Sequence, residues 1–158
     1  MTTAIYAGSF DPLTLGHLDI LKRSSKIFKK IIITVAYNST KQGFLSVEER
    51  IKLINECTKD FGNVEVCSSD ILTTEFAKQK KATVLIRGLR DSSDFEYEEK
   101  LAQTNFVLDS NIQTVFLISK PQYSHISSSC VKELVLYKQK LEEFVPSTVA
   151  EYLYKKFW

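Results

Sequence analysis

The chain has 158 residues, 44% of them hydrophobic, with 21 lysines and arginines against 19 aspartates and glutamates. That length suits one ordinary domain with a real core, and the near-balanced charge argues against a nucleic-acid or membrane-surface protein while leaving a small anionic ligand open. Cys57, Cys67 and Cys130 are odd in number and lack C-x-x-C or Cys/His cluster spacing, which argues against a disulfide framework or a structural zinc site.

Cys130, after "ISSS", is read as a small buried thiol on a helix. No basic segment followed by an apolar leader opens the sequence, and no apolar run reaches the length of a membrane span, so a soluble cytoplasmic protein is the expectation.

Taken in chain order, apolar and β-branched runs occupy residues 3–9, 31–37, 64–67, 83–87 and 114–119. They are short and mostly continuous, which suits strands covered on both faces. Helical segments begin near Gly16, Ser46, Asp70 and Asp94, with a final pair starting near Ser128 and Pro146. "SVEE" at 46–49 has capping-box spacing and marks a helix start. The alternation predicts a Rossmann-like α/β fold: a doubly wound, five-stranded parallel sheet with helices on both faces, in a single domain over 1–158. The tail "EYLYKKFW" shows aromatics on more than one helical side and is a candidate for burial by a neighbouring chain.

In such a sheet, ligands collect outside the carboxyl ends of the strands, near a topological switch point. Unusual polar segments follow four of the five strands: "GSFDP", "NSTK", "RGLR" and "KPQYSHISSS". All four would share one rim. Neither G-x-G-x-x-G nor G-x-x-x-x-G-K-[ST] is present, so phosphates would be held by other means. In "GSFDPLTLGH", Gly8 permits close backbone approach, Asp11-Pro12 makes a turn, and His17 falls at a helix start, where the dipole favours an anion and opposes protonation of the imidazole. A histidine there is otherwise a packing or capping residue.

"GSFDPLTLGH" together with "ISSS" resembles the signature pair of the nucleotidyltransferase superfamily, H-x-G-H and I-S-S-T-x-x-R. Thr14 stands at the first histidine, and Ser129 and Lys132 stand where threonine and arginine are common. With "TVLIRGLR", "DFEYE", "SHISSSCVKE", "LSVEER" and "GNVEV" in order, the chain is similar over essentially its whole length to the bacterial phosphopantetheine adenylyltransferase family. The resemblance implies transfer of an adenylyl group from ATP to 4'-phosphopantetheine, giving dephospho-coenzyme A and pyrophosphate. It also implies a homohexamer and Mg2+ carried with ATP, with no protein metal ligand named.

Residue by residue, the resemblance assigns catalysis to His17, Lys41 and Arg90. It places ATP on Ser9, Phe10 (through its backbone), His17, Gly88, Leu89, Arg90 and Glu98, and on the segment Tyr123, Ser124, His125, Ile126, Ser127, Ser128 and Ser129. The acceptor falls to Ser9, Lys41, Thr73 and Arg87. Plainer readings stand beside these: a turn serine at Ser9, a solvated Lys41, a surface salt bridge at Arg87, a solvated helix acid at Glu98, and an N-cap cluster at Ser127–Ser129. Another superfamily member, or a nucleotide-binding regulator that has lost catalysis, are the alternatives.

Overall fold

The computed structural model describes residues 2–158; Met1, the first residue of the expected domain, lies outside the described residues. In β1 (Thr3–Gly8), Ala4 and Tyr6 face one side of the sheet and Ile5 and Ala7 the other, and all four are buried. β2 (Lys30–Ala36) does the same, with Ile31, Ile33 and Val35 on the first side and Ile32 on the second. Side chains alternate along a strand, so a continuous apolar run can be buried only if both faces are covered.

Helices meet that requirement. On the first side lie α1 (Leu15–Ser24), α2 (Val47–Thr58), α5 (Ser128–Leu136) and α6 (Ser147–Phe157), contributing Leu21, Ile54, Val131 and Val149 among others. On the second lie α3 (Thr73–Gln79), which contributes Phe76 and Ala77, and α4 (Ser92–Leu108), which packs on β4 (Val84–Leu89) and β5 (Gln113–Ile118). With β3 (Val64–Ser69) the strands run in the order β3-β2-β1-β4-β5, every neighbouring pair parallel. The chain reverses its direction of travel across the sheet between β1 and β4. Their carboxyl ends therefore form the switch point.

Some boundaries differ from the sequence reading, each for a local reason. β4 runs past Arg87 through Gly88 and Leu89, because its ladder with β5 continues to the Leu89–Ile118 pair. α4 begins at Ser92 rather than near Asp94, since the Asp91 side chain caps it by accepting the Asp94 N–H at 2.9 Å. α3 begins at Thr73 rather than near Asp70. The Ser46–Glu49 capping box is present as read, with both reciprocal bonds made.

The C-terminal helix packs in part on its own chain, while Phe157 and Trp158 at its end stay exposed. Val149, Ala150 and Leu153 are buried, and the Phe157 ring stacks on Phe44 at 4.5 Å. Further exposed apolar side chains lie at the end of α4, where Phe106, Val107 and Leu108 are all open to solvent, and at Ile118 on the edge strand β5. Among the described residues, no helix is long and apolar enough to cross a membrane. All three cysteines are half-buried and unpaired, so Cys130 on α5 is less enclosed than its sequence context suggested.

Candidate active site

A cleft of about 320 Å³ opens at the carboxyl ends of β1 and β4, floored by the β1–α1 turn and flanked by α4 and the start of α5. The turn is shaped by close packing. Phe10 has a positive φ of 46°, a left-handed conformation disfavoured for residues with a β-carbon, and its buried ring holds it there. That ring meets Tyr6 and His17 edge-on, with centroids 5.2 and 5.1 Å away. A β-carbon on Gly8 would stand 3.2 Å from the same ring, so this glycine serves the folding-back of Phe10. Gly88 likewise makes room for α1, since its β-carbon would stand 3.2 Å from Ile20.

His17 sits at the third position of α1, in a capping box with an unusual partner. Thr14 Oγ1 accepts the His17 N–H at 3.3 Å, and the Thr14 backbone N–H donates to His17 Nδ1 at 3.1 Å. A backbone N–H can only donate, so Nδ1 carries no proton and the neutral ring's hydrogen is on Nε2. Burial first, then the nearby charges of Arg90 and Arg87, push the His17 pKa down to about 4. The sequence reading expected a neutral imidazole through the helix dipole; burial and two guanidiniums are the causes here. His17 is thus a neutral ring with one N–H to offer.

The two arginines come from β4 and from the residue just after it. Arg87 faces the same side of the sheet as Leu85, toward α4, and its Nε donates to Glu98 Oε2 at 2.8 Å while Nη1 reaches the Ala7 carbonyl at 2.7 Å. Arg90 holds Asp94 through Nε and Nη2 at 2.9 and 3.1 Å. Asp94 and Glu98 lie one turn apart on α4, so one helix face positions both guanidiniums. The Arg90 pairing lowers the Asp94 pKa. Glu98 is a buried carboxylate that orients Arg87, and both line the cleft.

The serines at the start of α5 have separate tasks. Ser127 is the N-cap and accepts the Cys130 N–H at 3.1 Å; Ser128 Oγ donates to the Pro12 carbonyl at 2.9 Å; Ser129 is exposed. The plainer N-cap reading therefore holds for Ser127, while the helix start still turns toward the cleft, as anion sites do.

Of the residues singled out from sequence, Ser9, Phe10, His17, Arg87, Gly88, Arg90, Glu98, Tyr123, Ile126, Ser127, Ser128 and Ser129 line this one cleft. Leu89 is buried at the end of β4 and does not line it. Ser124 and His125 are exposed outside it, where Ser124 Oγ donates to the Pro121 carbonyl and the His125 ring lies edge-on to Phe144. Thr73 opens α3 away from the cleft, and Lys41 is exposed beside a neighbouring depression shared with Phe44, Arg50 and Lys156. Sequence reasoning gave no site role to Asp94 or Arg50 and read Asp11 only as a turn residue. The i, i+4 spacing of Arg90 and Asp94 was a usable signal; the other two act across more than 30 residues.

An open parallel sheet with an imidazole donor, paired arginines and a helix start at its switch point, and no P-loop, is the arrangement of a nucleotidyltransferase; residues 5–134 match the cytidylyltransferase-like family. A solved structure from Vibrio parahaemolyticus, described as a nicotinate-nucleotide adenylyltransferase, shares the fold with a TM-score of 0.68 over 98% of this chain and 99% of its own, at 16% identity. Two phosphopantetheine adenylyltransferases are similar at 48% identity over 157 residues. That of Caldanaerobacter subterraneus is covered over 98% of its length and that of Lachnoclostridium phytofermentans over 96%, each across 99% of this chain. The chain belongs to the phosphopantetheine adenylyltransferase family.

Proposed function

We propose that this protein transfers the adenylyl group of ATP to 4'-phosphopantetheine, releasing pyrophosphate and forming dephospho-coenzyme A. The observation that carries the transfer chemistry is His17 as a neutral Nε2–H donor in a cleft shared with Arg87, Arg90 and Ser129. Near-full-length likeness to phosphopantetheine adenylyltransferases supplies the acceptor.

The reaction needs little covalent help from the protein. An oxygen of the acceptor phosphate attacks the α-phosphorus, a bond forms there, and the bond from that phosphorus to the bridging oxygen breaks as pyrophosphate leaves. The attacking phosphate is already ionised, so no general base is required. The chain's task is to bring two anions together and to stabilise charge that grows on the α-phosphate oxygens. His17 donates to that phosphate. Arg90, with a planar fork, holds the ATP phosphates together with the start of α5 and Ser129, and Ser9 and the Phe10 amide meet the phosphates of both substrates.

Arg87, aimed by Glu98, and Lys41 receive the acceptor, and Thr73 lies toward its pantetheine arm. Lys41 stands on an exposed loop, so its long stem lets the ammonium follow the phosphate as it moves. Magnesium carried on the ATP phosphates would neutralise part of their charge. The two cleft carboxylates, Asp94 and Glu98, are each engaged by an arginine, which suits an ion held by phosphate oxygens and water.

Two coarser expectations extend the reading. The protein works in the cytoplasm, and it assembles as a homohexamer, with the exposed Phe106, Val107 and Leu108 of α4 supplying apolar area for subunit contact. Light scattering at working concentration checks the assembly, and a monomer would reject it.

The reaction itself is tested by pyrophosphate release with magnesium and ATP, offering 4'-phosphopantetheine or nicotinamide mononucleotide, with CTP and glycerol 3-phosphate as a further pair. Mass spectrometry identifies the product. Dephospho-coenzyme A formed only with phosphopantetheine is expected. Turnover with another pair would move the protein to a different branch, and ATP binding without turnover would make it a regulator.

A further inference from the structure

Behind the cleft, two loops that carry candidate residues and the helix α5 are joined by one buried ionic knot to which the transfer chemistry assigns nothing. Asp11, only 4% exposed, accepts the Phe44 N–H on Oδ2 and the Leu45 N–H on Oδ1, both at 2.8 Å. Those two amides end the loop that bears Lys41. Arg50, 6% exposed, donates from Nε to the Leu45 carbonyl at 3.1 Å and the Ser46 carbonyl at 3.3 Å, and from Nη1 to the Ser9 carbonyl at 3.0 Å. Its Nε lies 3.9 Å from Asp11 Oδ1. From α5, Lys132 brings Nζ to 3.5 Å from Asp11 Oδ2.

The knot is also tightly packed. A β-carbon on Gly43 would come within 2.8 Å of both Arg50 Nη2 and the Leu45 carbonyl, so the loop can close over the guanidinium only with glycine there. The carboxylate is satisfied by two backbone amides and the guanidinium by three backbone carbonyls, and those bonds fix backbone rather than other side chains. A buried pair of this kind is a weak source of stability and a strong source of geometry, because its charges are tolerated in only one arrangement.

We infer that Asp11 and Arg50 are positioning residues, which hold the Ser9–Phe10 turn and the Lys41 loop at a fixed separation so that donor and acceptor phosphates are presented in line. The inference rests on the adenylyl-transfer reading above. Asp11 governs the Lys41 side of the link through the Phe44 and Leu45 amides, and Arg50 governs the Ser9 side. Neither needs to touch substrate.

A double-mutant cycle separates positioning from general support. In Asp11→Asn the amide can still accept from one backbone N–H but turns an NH2 group toward the other, which releases one end of the loop. With Lys41 present, Asp11→Asn should lower kcat about 30-fold, a loss in the range measured for coupled neighbours; in a Lys41→Ala background, where there is no ammonium left to place, the further loss should be under about threefold. Arg50→Lys, which keeps the charge but cannot reach the Ser9 and Leu45 carbonyls together, should behave in the same way and serves as the cycle if Asp11→Asn does not fold. Thermal unfolding above the assay temperature verifies each variant.

Losses that simply multiply, with Asp11→Asn and Arg50→Lys costing as much without Lys41 as with it, would overturn the inference and leave the proposed function standing. A Lys41→Ala protein with unchanged turnover would overturn it too, by removing Lys41 from the reaction. Wild-type protein that forms no dephospho-coenzyme A would sink both.

Discussion

The Thr14 backbone N–H donates to His17 Nδ1 at 3.1 Å, and that one bond decides which nitrogen of the ring can serve a phosphate. The proton must sit on Nε2. Nitrogen NMR should therefore show Nδ1 as an unprotonated acceptor across pH 5–8, with the ring titrating near pH 4. A midpoint near 6.5 would contradict the half-buried, arginine-flanked placement. The unfolded ring takes up its proton near pH 6.5 while the folded one resists until about 4, so His17 makes the protein lose stability as pH falls through that window. Thr14→Val, which keeps the backbone donor and removes the hydroxyl cap, should cost about 1 kcal/mol of stability while leaving turnover within a few-fold of wild type.

Arg90 is the cation expected to follow the triphosphate. Its exposed guanidinium spends Nε and one Nη2 hydrogen on Asp94 and keeps its other donors for ligand. Arg90→Ala should lower kcat/KM for ATP by roughly 10- to 100-fold, the worth of a lost charge-assisted pair of bonds, and Arg90→Lys should recover only part of it because a point charge cannot form the fork. Steady-state kinetics with ATP varied at saturating acceptor make the comparison. Full recovery by lysine would show that charge alone matters at this position.

Much of the fold was legible because its signals are local. The five apolar runs, the Ser46–Glu49 capping spacing and the rim of polar segments each lie within about ten residues, and the parallel order follows from their alternation with helices. The cleft was legible as a set of types, His17 with Arg87, Arg90 and the serines, but not as a set of partners. Glu98 reads as a solvated helix acid until the pleat of β4 turns Arg87 toward α4. Asp11 reads as a turn former until the loop 33 residues on brings its amides to the carboxylate. Gly88 reads as a place for ligand, whereas Ile20 of α1 already occupies the space a β-carbon would need. Pairings across long sequence separations depend on packing, which no short window contains.

On the same rim, beside the Lys41 depression, Glu49 ties α2 to the C-terminal helix. Partial burial works against its charge, but Lys156, the Tyr152 hydroxyl and the Ser46 amide outweigh it and draw its pKa down to about 2. The folded value lies below the unfolded one, so the stabilisation is present above pH 4.5 and is lost as pH falls through 2. Allowing for solvent screening of a partly exposed group, Glu49→Gln should cost about 1–2 kcal/mol at pH 7, or roughly 2–8 °C in Tm. Thermal unfolding at pH 7 and at pH 2.5 tests this, with a smaller difference between wild type and variant at the lower pH. An equal difference at both would place the effect in packing rather than charge.

The measurement that bears most directly on the account is turnover of His17→Ala set beside its ATP affinity, with 4'-phosphopantetheine as acceptor. A donor used chiefly in the transition state is worth about 3 kcal/mol, so kcat should fall about a hundredfold while the Kd for ATP stays within a few-fold of wild type. Unchanged turnover would remove His17 from the chemistry, and a matching loss in ATP affinity would make it a ground-state contact; either result would contradict the account.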